Sequence, residues 1–410
     1  MNKNKLWTRD FTIITLGSVI SMLGNSVCGF AIGIMVLDYT DSVFLYALFM
    51  VAYSLPKLVM PVIFGPYLDC VSRKKVIYTL DFISAAMFGT AFILLQFDLF
   101  NYALFLFIAI IIGSIDSIYS VAYDSLYPNL VSDGNISKAY SISSIVYPLS
   151  ALMIPVAAFV YKTVGLPVLF IFNAVTFLIA AIFETQIKAN ETHIKTRQTE
   201  KASIDEYKIN LKEGIRYIRQ EKGLLVITAY FFVTMLASSG VSTLLMPYFK
   251  ANANLGIQNY TFVMAFSIFG RMIGGFFHYI KKLPTSKRFT IAMIVYFCTT
   301  VINSFVLFLP LKFMFILMFI DGFICVTSFN IRISATQSYV PDDHRARFNG
   351  AFQMLVTLGA TIGQLIAGLL GDLLPIRGIV VSFMALNMLA VIFIMFTHRK
   401  HVKLIYNREL

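Results

Sequence analysis

Apolar runs of about 20 residues recur from residue 11 to residue 398, separated by short polar connections. A hydrocarbon core of roughly 30 Å is crossed by about 20 residues of helix. The pattern predicts twelve spanning helices, at about 11–37, 43–68, 75–96, 101–127, 138–161, 165–185, 222–249, 258–280, 287–308, 312–338, 347–371 and 377–397. Residues 186–221 form the one long polar stretch. Within it "SIDEYKINLKEGIRYI" puts Ile204, Tyr207, Leu211, Ile215 and Ile218 on one helical face. Ser203 followed by Glu206 fits a capping box that starts this helix. The predicted organisation is a six-helix bundle (1–185), a linker with a surface helix (186–221) and a second six-helix bundle (222–410).

Composition agrees with the pattern. The chain is 58% hydrophobic and 13% charged, where a soluble protein carries about 25% charged residues. The fold class is therefore all-α integral membrane. A net charge of +12 invites a nucleic-acid reading, but its distribution excludes one. Counted by alternate sides, 26 of the 33 Lys and Arg fall on the side that holds both termini. The opposite side has Lys162, Lys250, Lys312 and Arg377, and Lys57, Arg271 and Arg332 lie within apolar runs. Positive charge stays in the cytoplasm, so both termini are placed inside. The first run lacks a small-residue cleavage site and reads as a retained helix. Cys28, Cys70, Cys298 and Cys325 have no metal-ligand spacing. The five histidines fall in or beside polar connections, which leaves none as an intramembrane proton relay.

The halves look like copies. An offset of 209 lays "GPYLDCVSRKK" (65–75) on "GGFFHYIKKLP", "GSIDS" (113–117) on "GFICV" and "LVSDGNISKAYS" (130–141) on "YVPDDHRARFNG". Six helices plus six in parallel repeat is the architecture of a secondary transporter with its site between the repeats. The loop after the second span carries Gly65, Asp69, Arg73 and Lys74, which match the G-x-x-x-D-x-x-x-R-[KR] pattern of the major facilitator superfamily. The chain resembles that superfamily over essentially its whole length. "LPKLVMPVIFGPYLDCVSRKK", "YPNLVSDGNISKAYSI", "KEGIRYIRQEKGL" and "QSYVPDDHRARFNG" look like segments of its exporter branch, which includes macrolide efflux proteins and the enterobactin exporter. The resemblance implies a rocker-switch carrier driven by proton antiport. It also implies a cytoplasmic gate in which Asp69 meets the helix starting near Arg347 and Arg73 pairs with Asp124. The chain departs from the family in two places. The fifth span reads "VYPLSALMIPVAA", and His278 stands where the second loop would carry an acid.

Ionisable residues inside spans cost several kcal/mol and are read as functional by default. Glu184, at the end of the sixth span, is expected to snorkel to water. Asp81, two turns into the third, is a candidate for proton coupling. Asp116 shares a face with Ser120, Tyr123 and Tyr127, a pattern that suits a water-filled cavity. Asp116 then has two readings: the proton carrier, or a fixed partner of Arg271 or Arg332. Asp321 is the third acid considered for proton coupling. Lys57, Arg271 and Arg332 suggest cargo with anionic groups, or else ion pairs with Asp116 or Asp321. Tyr53, Tyr119, Tyr123, Tyr147 and Tyr230 are candidate pocket aromatics. Asn25, Asn330 and Gln364 are candidate polar contacts.

The sequence carries no G-x-S-x-G, H-E-x-x-H or G-x-x-x-x-G-K-[ST] motif, so neither an enzyme nor an ATP-driven pump is expected. A solute sensor would need a larger output segment than the linker offers. The expected protein is a proton-coupled exporter of a small amphipathic organic compound, either drug/macrolide-type or siderophore/metallophore-type. A lysolipid carrier is an alternative. The expected setting is the bacterial cytoplasmic membrane, as a monomer without cofactor or bound nucleic acid.

Overall fold

The computed structural model describes residues 6–68, 71–132, 139, 152–188, 204–280 and 283–408. All regular structure among them is helical. The first half contains α1 (Arg9–Thr40), α2 (Val43–Ser54), α3 (Pro56–Leu68), α4 (Arg73–Gln96), α5 (Tyr102–Leu126), α6 (Met153–Val164) and α7 (Pro167–Glu184). Then come α8 (Ile204–Gln220), α9 (Lys222–Ala251), α10 (Gly256–Ile280), α11 (Arg288–Phe305), α12 (Leu311–Tyr339), α13 (Asp342–Gly371), α14 (Ile376–Ala390) and a short α15 (Arg399–Tyr406). Among the described residues eleven segments are long and apolar enough to cross a membrane, and Met153–Val164 is a shorter apolar helix. Most of the span predicted at 138–161 lies outside the described residues.

The helix starts follow local chemistry. Thr8 Oγ1 accepts the Phe11 N–H at 3.2 Å, and Asn101 Oδ1 accepts the Leu104 N–H at 3.0 Å. Ser72 caps α4 through the Lys75 N–H. Each closes one of the four open donors at a helix start. The second predicted span is broken at Leu55, because Pro56 has no N–H to continue the ladder. Lys57 therefore sits in the first turn of α3. Helix α3 runs through Gly65 to Leu68 and α4 begins at Arg73, so the turn is shorter than the predicted 65–75. Helix α13 begins at Asp342, five residues before the predicted start, directly after Pro341.

The chain divides into two compact units, Met1–Asp41 with Phe49–Ile204, and Ser42–Leu48 with Asp205–Leu410. Packing partners repeat between them. In the first unit α1 packs on α6 and α7, α3 on α5, and α4 on α5 and α7. In the second, α9 packs on α13 and α14, α10 on α12, and α11 on α12 and α14. Glycines set equivalent close approaches. A side chain on Gly113 of α5 would overlap the Tyr53 carbonyl oxygen of α2, and one on Gly322 of α12 would overlap the Ser267 carbonyl oxygen of α10.

The cores are built mainly of apolar and aromatic side chains. Phe88 stacks on Phe177 in the first unit at 5.7 Å between centroids, and Tyr230 meets Tyr296 at a tilt in the second at 4.6 Å. Tyr230, expected among the pocket aromatics, is buried in this second core. The amphipathic helix α8 turns Leu211, Ile215 and Ile218 toward the same core. Its Gly214 abuts the Arg347 carbonyl, and Glu213 Oε2 pairs with Arg347 Nη1 at 2.8 Å. The capping residue Ser203 lies outside the described residues. In the second unit Asp372 caps the start of α2, accepting from the N–H of Val43 at 2.6 Å and of Phe44 at 3.1 Å.

Candidate functional site

The first unit encloses a cavity of about 590 Å³. Helix α1 contributes Thr15, Ser18, Ser21 and Asn25, spaced so that all four fall on one face. Lys57 enters from α3 and Asp81 from α4. Helix α5 contributes Asp116, Ser120 and Tyr123, three members of the polar stripe read from the sequence, together with Asp124. Tyr127, grouped with that stripe, is buried instead and donates to the Ala139 carbonyl at 2.9 Å.

At the centre of this wall Lys57 Nζ lies 3.3 Å from Asp116 Oδ2, with the two side chains 46% and 26% exposed. The Tyr53 hydroxyl donates to the same oxygen at 2.8 Å, and Lys57 sits over the Tyr53 ring at 4.7 Å. Gly113, one turn before Asp116, lets the α2 backbone close on α5 and so sets this register. Asp116 is thus paired with Lys57, one of the ion pairs the sequence left open as alternatives. The pairing is short in space and 59 positions long in sequence.

Glu184 overturns its expected role. It is 0% exposed, so it does not snorkel. Its Oε1 accepts the Tyr119 hydroxyl at 3.2 Å, and its side chain packs against Gly17 of α1. Its carboxyl neighbours that of Asp81, itself 1% exposed. A position at the end of an apolar run gave no sign of this burial. Of the α1 stripe only Asn25 was expected; Thr15, Ser18 and Ser21 were missed, although their spacing on one helical face was the signal that could have found them.

The remaining candidates belong to the second unit. Arg332 is held over three rings, Phe231 at 5.2 Å, Phe329 at 5.5 Å and Phe352 at 4.7 Å. Among the described residues it has no ion pair with Asp321, the acid of its own unit. Asp321 is buried, and its Oδ1 accepts from Asn303 Nδ2 at 2.9 Å. Arg271 is exposed on α10, whose backbone Gly322 brings against α12 beside Asp321. Asn330 on α12 and Gln364 on α13 are half-buried and do not line the cavity. Of the expected gate, Gly65 ends in α3 and Lys74 in the first turn of α4. Arg73 Nη1 donates to the Ser125 carbonyl at 3.2 Å, one residue past Asp124. Asp69 and Tyr147 lie outside the described residues.

A polytopic helical bundle with charged and polar groups turned into a cavity within its spans is the build of a membrane transporter. The Major Facilitator Superfamily matches residues 14–363, and the chain belongs to it. The chain is similar to the "Uncharacterized MFS-type transporter YkuC" of Bacillus subtilis (strain 168), with 25% identity over 262 residues. That stretch is 62% of this chain and spans only 59% of the relative. Among solved structures, the nucleoside transporter NupG superimposes with a TM-score of 0.72 at 12% identity, over 97% of this chain and 99% of that one. A bacterial homologue of the iron transporter ferroportin, in an outward-facing state, gives 0.62 at 16% identity, over 96% and 99%. These likenesses establish the fold.

Proposed function

We propose that the protein is a proton-coupled exporter, carrying a small amphipathic organic compound out across the bacterial cytoplasmic membrane by alternating access. The observation that carries this reading is the Lys57–Asp116 pair. Opposite charges in two spans meet at the wall of a cavity of about 590 Å³ and stay partly open to it. That volume suits a small organic molecule, for which pockets of roughly 300–1,000 Å³ are usual. Each member of the pair can release the other when cargo brings its own charge. A carboxylate on the cargo takes Lys57, and a cationic group takes Asp116. Tyr119 and Tyr123 supply aromatic surface for the apolar part. Resemblance to the macrolide and siderophore exporter branch supports the outward direction, and the excess of basic residues on one side supports cytoplasmic termini.

The test is proton movement across liposomes holding the purified protein, followed with a trapped pH-sensitive dye. A macrolide, a lipophilic cation, a carboxylate-rich siderophore and a lysolipid are added in turn. One class is expected to drive proton flux in wild type and to lose that effect in Lys57→Ala. Cargo that moves without protons, or equal flux in Lys57→Ala, would overturn the reading.

A further inference from the structure

The acids of the first unit are of two kinds. Asp116 is balanced by Lys57, and a proton added to it would leave that cation unpaired. Asp81 and Glu184 have no cation partner among the described residues. They are close neighbours, at 1% and 0% exposure. Two adjacent carboxylates have no hydrogen to share, so a hydrogen bond between them would need a proton on one of them. Like charges in contact and away from water do not both ionise.

The surroundings are built for this. Each carboxyl keeps one buried oxygen, Asp81 Oδ2 and Glu184 Oε2, that no donor among the described residues reaches. A shared proton closes both. The Ser21 hydroxyl from α1 neighbours Asp81, is itself buried and meets no partner among the described residues. The facing groups are few. Helix α5 brings Tyr119, which donates to Glu184, with Tyr123 stacked on it at 6.0 Å between centroids. It also brings Asp116, whose charge acts on Asp81, while α3 brings Lys57 to Asp116. Helix α1 offers Ser21 and the bare backbone at Gly17. Asp81 lines the cavity and Glu184 does not.

We propose that Asp81 and Glu184 together form the proton site of the transport cycle, distinct from the charge pair that meets cargo. The pair holds one proton between its carboxyls. It gives that proton to cavity water through Asp81, leaving two carboxylates, when cargo shifts Lys57 toward the acids, and takes one back when Lys57 returns to Asp116. This rests on the exporter reading for its place in the cycle, but the proton itself can be seen without cargo.

The experiment is infrared difference spectroscopy on the full-length protein in lipid, between acidic and alkaline buffers, in H2O and D2O. Near neutral pH, wild type should show a protonated-carboxyl band that shifts in D2O and fades as pH rises. Asp81→Asn and Glu184→Gln should each lose it, Asp116→Asn should keep it, and Glu184→Asp should retain it at a shifted position. In the liposome assay Glu184→Gln should still exchange cargo at equal pH but no longer respond to a pH gradient. A purely structural pair would leave that response intact. The proposal is overturned if the band survives both single substitutions, if only Asp116→Asn removes it, or if sodium ions displace it at fixed pH. Should the band behave as expected while all four cargo probes are silent, the proton site stands and the exporter reading falls. Should a probe drive proton flux that Glu184→Gln leaves unaltered, the reverse holds.

Discussion

The two units dispose of their intramembrane charges in opposite ways. In the second, fixed neighbours hold Arg332 and Asp321. Arg332 lies within a cage of Phe231, Phe329 and Phe352, and Asn303 serves Asp321. Buried Asn387 donates to Thr300 at 2.8 Å and accepts from Thr234 at 3.0 Å, tying three helices. In the first, Lys57 and Asp116 bond each other at an open cavity wall, and Asp81 with Glu184 needs a proton to be satisfied. The difference teaches how to sort such residues. A charge whose bonds are all filled by the chain is structure, whereas one filled by something exchangeable is available for work.

The largest expected effect tests whether that wall depends on its packing. Gly113→Leu would force α5 off the Tyr53 backbone, and overpacking of this kind costs about 3 kcal/mol. Thermal unfolding in detergent should show it, with Gly322→Leu behaving alike in the other unit. A Gly113→Leu protein as stable as wild type would mean that the close approach does not set the Lys57–Asp116 register.

Next in size is the cage. Three cation–π contacts at roughly 0.5–1 kcal/mol each predict that Arg332→Leu lowers stability by about 2 kcal/mol. Transport per folded molecule should be unchanged. Lost transport with an unmoved melting temperature would put the guanidinium on cargo and remove the contrast between units. Lys57→Ala should do the reverse. Its partly exposed pair contributes about 1 kcal/mol or less to stability, while cargo-driven proton flux should fall by roughly tenfold, equivalent to about 1.4 kcal/mol.

Much of this was legible in the sequence, and the limits have physical causes. Hydropathy marks the spans because lipid demands apolar length, and the match of Gly113 with Gly322 announced the repeat that packing later displayed. The polar stripe on α5 was readable because helical spacing is local. Which cation meets Asp116 was not, since that depends on how closely α2 and α3 approach α5. Glu184 was misread for the same reason. A position near a span end says little about depth when the chain beyond it folds back, as buried Ile187 does here. Pro56 was visible, but the break it makes at Leu55, which places Lys57 in a first turn, follows only from the backbone.

The smallest expected effect sharpens the comparison most, because it makes one chemical change in both units. Asp321→Asn keeps a side-chain oxygen where Asn303 donates at 2.9 Å, so the bond survives the loss of charge. Arg271 beside it is exposed and screened by solvent or headgroups, so losing its attraction costs little. Stability should change by less than about 1 kcal/mol, and the response of transport to a pH gradient should stay as in wild type. Asp81→Asn should be nearly as mild for stability but should abolish that response. The measurement is cargo-driven proton flux at two external pH values for both variants side by side. If Asp321→Asn also loses the gradient response, the second unit carries a proton as well, and fixed bonding no longer separates structural charges from working ones.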